Sequence, residues 1–150
     1  MPEKKTIERA KKDAQEGKSA STQAGEFVHE EIEHIREGKH GARSAKQAIA
    51  IGLSKARRAG VKLPPPKQGT SSEQTRRQAA RDSAKGQRSA GKAPSRTRSK
   101  ATTQALKRED TKAASSTALS RQAKTSAAKR SPEDRSRAAR KAARTRAAGG

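Results

Sequence analysis

Large apolar residues are few in this chain and unevenly placed. They are Met1, Ile7, Phe27, Val28, Ile32, Ile35, Ile49, Ile51, Leu53, Val61, Leu63, Leu106 and Leu119, so nine of the thirteen lie between Phe27 and Leu63. Within that stretch Val28, Ile32 and Ile35 recur at i, i+4 and i+7, the spacing of one helix face, which predicts a helix over Glu26 to Glu37 with Gly38 as its C-cap. Gly41 supplies a turn. Ser44, followed three residues later by Gln47, has the capping-box pattern of a second helix running to Ala59. Gly60 ends it, Val61 stands where a Schellman motif places its hydrophobic contact, and Pro64 blocks continuation. The apolar face of this helix reads Ala45, Ile49, Gly52, Leu53 and Ala56, small enough for a close approach. Two such helices joined by a short glycine-bounded loop make an αα-hairpin.

Flanking segments carry weaker signals. From Thr6 to Glu16 the chain reads as a marginal helix ended by Gly17, charged all round and carrying only Ile7 as a large apolar residue. Pro64, Pro65 and Pro66 predict a stiff polyproline spacer. Beyond them nearly every residue is Ala, Arg, Lys, Ser, Thr, Gln or Gly. One start signal stands out there: Ser131 as N-cap, Pro132 at the first helical position, and Glu133 and Asp134 in the first turn. It predicts a helix from Pro132 to about Ala147, partly formed alone and completed on a polyanion. Similar patterns run from Ser72 to Lys85 and from Thr102 to Lys112. The expected organisation is a charged arm (1–22), a helical hairpin (23–63), a basic low-complexity tail (64–130) and an Arg/Ala-rich helix-prone segment (131–150).

Composition sharpens this into a fold class. Leu, Ile, Val and Phe number 12 of 150 residues, well under the roughly 20% below which a highly charged chain is expected to stay disordered. The expectation is therefore a mostly α chain plus disorder: one small hairpin followed by a long, largely disordered basic tail. An isolated hairpin is thermodynamically marginal, which points to a homo-oligomer through the hairpin or to an unidentified protein partner. So little core argues against an enzyme. Without cysteine there is no disulfide, thiolate zinc site or cysteine nucleophile. No stretch reaches the length of a membrane span and the N-terminus has no apolar signal segment, so the expected address is cytoplasmic, at the nucleoid.

Charge supplies the functional expectation. Lys and Arg number 37 against 15 Asp and Glu, a net +22, and 23 of the 37 lie beyond Leu63. Such a chain seeks a polyanion, because each cationic side chain displaces condensed counterions from a phosphate backbone. The residues expected to carry nucleic-acid binding are Lys46, Lys55, Arg57, Arg58 and Lys62 on and after the second hairpin helix, then Arg76, Arg77, Arg96, Arg98, Lys129, Arg130, Arg135, Arg137, Arg140, Lys141, Arg144 and Arg146. The only aromatic residue is Phe27, which argues against stacking of single-stranded bases. The expected function is sequence-nonspecific binding and compaction of duplex DNA. Its alternatives are an RNA- or ribosome-associated protein, or a hairpin interaction module tethered to nucleic acid by its tail. No metal and no cofactor are expected: His29 and His34 stand five apart, about 140° round a helix, whereas the zinc motif needs i, i+4. Glu30 and His34 read as an ordinary i, i+4 pair.

FVHEEIEHIREGKHG (Phe27 to Gly41) followed by KQAIAIGLSKARRAGVKLPPP (Lys46 to Pro66) resembles a small bacterial domain family of unknown function. Its members pair a V-[MH]-H-E-like acidic segment with a Gly/Lys/Ser turn and an S-R-K-Q-A-I-A-I-A-L-S-E-A-R-like helix. Here Ala45 replaces the usual Arg and Lys55 the usual Glu, making the second helix more basic. No activity is established for the family, so nothing catalytic carries over. The tail resembles, in composition, the Lys/Ala/Ser/Pro-rich tails of bacterial linker-histone-like proteins.

Overall fold

A computed structural model describes residues 2–88 and 95–149; Met1, the 89–94 stretch of the expected tail and Gly150 lie outside the described residues. The helices are α1 (Lys4–Gln15), α2 (Ala20–Arg36), α3 (Ala45–Arg58), α4 (Glu73–Gln87), α5 (Arg96–Lys107), α6 (Ser116–Ala128) and α7 (Pro132–Gly149), with a 3-10 turn at Lys112–Ala114. They fall into two units, Met1–Ser115 and Ser116–Gly150.

The hairpin forms, with α2 starting at Ala20, six residues before the expected Glu26, and its ends are set by local hydrogen bonding. The Ser44 hydroxyl accepts the Gln47 N–H at 3.2 Å, while the Gln47 side chain turns back to accept the Arg43 N–H at 2.6 Å. At the other end of α3, Gly60 N–H donates to Arg57 O and Val61 N–H to Ala56 O, the paired bonds of a Schellman motif. Gly38 closes α2 in the same way, donating to Ile35 O while Lys39 N–H donates to His34 O. Both glycines have positive φ, +97° and +74°, a conformation that a Cβ disfavours.

Packing keeps Ala45, Gly52 and Ala56 of the expected face of α3 and adds Ala48 and Arg57. The buried positions are Ala45, Ala48, Gly52, Ala56 and Arg57, with Ile49 and Leu53 only partly buried at the flanks. A Cβ at Gly52 would stand 2.6 Å from Val28 Cα, so the absent side chain is what lets α2 and α3 lie so close. Phe27, Ala24, Ala56, Val61 and Ala10 form one core cluster, with Ile7 of α1 and Leu53 and Leu63 packed on it. The arm is thus an ordered helix docked on α2, one that starts two residues earlier than the sequence suggests. A second cluster joins Ile35, Ala42 and Ala48 to Ala113 and Ala114.

That second cluster contradicts the expected disordered tail. Residues after Leu63 form α4 to α7, and the first unit takes in the chain as far as Ser115. α4 packs on α3 through Ala79 and the fully buried Asp82, whose carboxylate accepts from Ser54 Oγ (2.6 Å) and Arg58 Nε (2.8 Å). The segment after α5 is pinned to the hairpin turn: Gly41 N–H donates to Leu106 O, Ala42 N–H to Asp110 O, and Arg36 Nε to Ala114 O. Nor are the prolines a free spacer, since Arg57 donates to Leu63 O and Pro64 O, and Arg76 to Pro66 O. The physical reason is that large apolar side chains are a poor measure of this core. Of its twelve buried apolar residues among those described, all but Phe27, Ile35 and Val61 are alanines. Alanine also favours helix intrinsically, as does arginine. Among the described residues, no helix is long and apolar enough to cross a membrane.

Candidate nucleic-acid interface

α7 carries the largest number of basic residues of any helix among the described residues. Its 18 residues carry Arg135, Arg137, Arg140, Lys141, Arg144 and Arg146, and none of them is buried. The acids, Glu133 and Asp134, are confined to the first turn, where they suit the helix dipole. The Ser131 hydroxyl accepts the Asp134 N–H at 3.1 Å, the N-cap that the sequence announces. At about 100° per residue, Arg137, Arg140, Lys141 and Arg144 fall at i, i+3, i+4 and i+7 within a sector of roughly 100°. Arg135 and Arg146 lie on the opposite side. One member of the stripe is partly neutralised: Arg137 pairs with Asp134 at 3.4 Å, both well exposed. Lys129 and Arg130, in the turn before the cap, are exposed as well.

The five basic residues expected on and after α3 divide differently. Lys46 and Lys62 are exposed. Lys55 reaches across to the buried Glu31 of α2 at 2.5 Å, and His40 approaches the other oxygen of that carboxylate at 2.7 Å. Arg57 is buried, holding the chain that leaves α3 by its carbonyls, and burial pushes its guanidinium below its ordinary pKa. Arg58 pairs with Asp82. Lys55, Arg57 and Arg58 therefore serve the packing of the domain, and the structure does not gather the five into one cationic surface.

On α4, Arg76 and Arg77 both bridge to Glu73, at 2.8 and 3.4 Å. On α5, Arg96 and Arg98 are exposed but point to different sides. Arg96 instead aligns with Lys100 and Lys107, within about 40° of one another. Lys100 was absent from the residues singled out by sequence; its i, i+4 relation to Arg96 is the signal that would have found it.

The first unit is thus a small helical domain built on alanine and glycine contacts, and the second carries, in α7, six exposed basic residues on a single helix. A family described as a family of unknown function (DUF6496) matches residues 3–68, which takes in α1, α2, α3 and the proline segment. The match supports a small domain of unknown function there. It reaches further toward the N-terminus than the motif over 27–66 and so includes the helical arm. No curated protein and no solved structure matches the chain significantly.

Proposed function

We propose that the chain is a binding protein rather than an enzyme, and that it coats or compacts duplex DNA without reading sequence. The observation that supports this reading is the exposed Arg137, Arg140, Lys141 and Arg144 stripe of α7, on a helix whose acids are kept to its first turn. A helix of 18 residues is about 27 Å long and, with side chains, 10–12 Å across, a body the major groove of B-DNA admits. The deep, narrow major groove of A-form RNA does not admit it. Phe27, the only aromatic residue, is buried in the core, so no stacking platform is offered to single strands. With the resemblance noted above, the setting is bacterial: a nucleoid, or plasmid or phage DNA.

The test is fluorescence anisotropy of the full chain on duplexes of unrelated sequence, across a salt series. If about eight phosphates are neutralised, log K falls with log salt at a slope near −7, from about −0.9 per phosphate. Replacing Arg137, Arg140, Lys141 and Arg144 together by Ala should lower the slope magnitude by about 3 to 4 on the same rule, equally for every duplex. A wild-type slope shallower than about −3, or an unchanged slope in the variant, overturns the reading. Ribosomal RNA outcompeting duplex DNA at fixed salt would move the target to RNA.

A further inference from the structure

We propose that Glu3, Glu30 and His34 form a binding site for a single divalent transition-metal ion of the zinc class. Two of the three are one helical turn apart on α2; Glu3, the N-cap of α1, comes from the other side. One donor atom from each residue lies within 4.8 Å of the others. His34 Nε2 is 3.0 Å from Glu3 Oε1 and 3.9 Å from Glu30 Oε1. Four ligands at the 2.0–2.1 Å bonds of zinc to nitrogen and oxygen stand about 3.3 Å apart. The two separations from His34 Nε2 lie either side of that value, and all three donors are within reach of one ion.

An independent observation points to a ligand here. The Glu30 side chain is only 4% exposed; Oε1 accepts the Glu3 N–H at 3.1 Å, yet Oε2 is buried with no hydrogen-bond partner. A buried carboxylate oxygen left unpaired is costly, and a cation is the partner it lacks. Two carboxylates and an imidazole are a hard-to-borderline donor set suited to zinc or manganese. Lys39 Nζ, 3.6 Å from Glu3 Oε1, is the cation now nearest the open side, and it is exposed enough to swing away. Glu3 and His34, 51% and 15% exposed, leave a route for the ion. A second cluster, Glu31, His34 and His40, shares His34. There the Glu31 carboxylate is already engaged by Lys55 and His40, so the ion goes to the Glu30 side.

The experiment is titration of chelator-treated full-length protein with Zn²⁺ alone by calorimetry, alongside circular dichroism melts of every variant. The expected result is one ion per chain, with affinity reduced tenfold or more in Glu30→Gln and in His34→Ala. His29→Ala, which removes an exposed histidine of the same helix, should leave the affinity unchanged. Three outcomes overturn the proposal: no stoichiometric binding to the folded wild type, equal binding by Glu30→Gln, or loss in His40→Ala with retention in Glu30→Gln. A Glu30→Gln variant that fails to melt cooperatively is set aside in favour of His34→Gln, for which the same tenfold loss is required.

Discussion

Replacing Asp82 by Ala should detach α4 from the domain. The carboxylate is 1% exposed and accepts three hydrogen bonds, from Ser54 Oγ at 2.6 Å, Arg58 Nε at 2.8 Å and Gln78 Nε2 at 3.1 Å. Two of these cross from α3, and each hydrogen bond to a charged group contributes roughly 1.5–3 kcal/mol. The guanidinium of Arg58 is half exposed and recovers part of its loss from water. The net destabilisation is then about 2–4 kcal/mol, a fall in Tm of roughly 8–16 °C at about 4 °C per kcal/mol for a domain of this size. Arg58→Ala, which leaves the buried Asp82 carboxylate without its ion-pair partner, should cost at least as much, about 3–5 kcal/mol. Hydrogen exchange read peptide by peptide provides the assay. In the wild type the amides of Glu73–Gln87 should be protected nearly as well as those of α3, and in Asp82→Ala their protection should fall first. Exchange of the wild-type α4 amides at unstructured rates, or a melt that Asp82→Ala leaves unmoved, would mean that α4 is not docked and that the chain beyond the prolines is the loose tail its composition suggests.

Two further perturbations probe the close helix contact and the pinned loop. Gly52→Val places a Cβ 2.6 Å from Val28 Cα and 2.9 Å from Val28 N, both backbone atoms that cannot turn aside. The cost should be about 3 kcal/mol by urea denaturation, the upper part of the overpacking range, and a loss under about 1 kcal/mol would refute the close approach. Asp110 tests the loop by acid: its carboxyl is held below the usual range, first by the Lys112 backbone N–H and then by the Lys112 side chain. A carboxyl with a lowered folded pKa adds stability that is present above its unfolded pKa and lost as pH falls through the folded one. Asp110→Asn should therefore melt below the wild type at pH 6, with the gap narrowing as pH falls below the usual carboxylate range; a gap that stays constant on acidification would show the carboxylate charge to be irrelevant.

Helix ends were the most legible part of the sequence, because caps are local. Gly38, Ser44, Gly60 and Ser131 each sit where their hydrogen bonds are made within a few residues. The close approach of the hairpin helices is legible in Gly52 and Ala56, and what it leaves to the structure is the detail that Ala48 joins them in the contact while Ile49 and Leu53 go to the flanks. Alanine is the larger omission: a count of large side chains leaves it out, and the chain after Leu63 then reads as too poor in apolar residues to fold. Charge pairing is hidden for a different reason. Lys55 and Arg58 find Glu31 and Asp82 across 24 positions of sequence; the glutamates of Glu26 to Glu37 facing a basic second helix signal the first pairing in kind, and nothing near Arg58 signals the second. Glu3 and His34, 31 positions apart, meet by the same kind of long-range docking. Spacing along α2 alone therefore showed only the Glu30 and His34 pair.

The two units handle their charge in opposite ways, and this bears on how the second would act. In the first, Glu31 and Asp82 are consumed inside the fold, each holding a cation from another helix. In the second, α7 buries none of its residues, so its helix rests on intrinsic propensity and on the Ser131 cap. Its cationic stripe works against it. Arg137 with Arg140, Arg137 with Lys141, Arg140 with Arg144, and Lys141 with Arg144 are like-charge pairs at i, i+3 or i+4, and each costs about 0.2–0.5 kcal/mol. Together they hold the helix back by roughly 1–2 kcal/mol. A phosphate backbone laid along the stripe relieves that repulsion at the moment it neutralises the charge. On the binding proposed for α7, helix formation and phosphate contact are then one coupled equilibrium, and the relieved repulsion returns as roughly 5- to 30-fold in affinity. No base need be touched for this gain, so on that proposal it is the same for a duplex of any sequence.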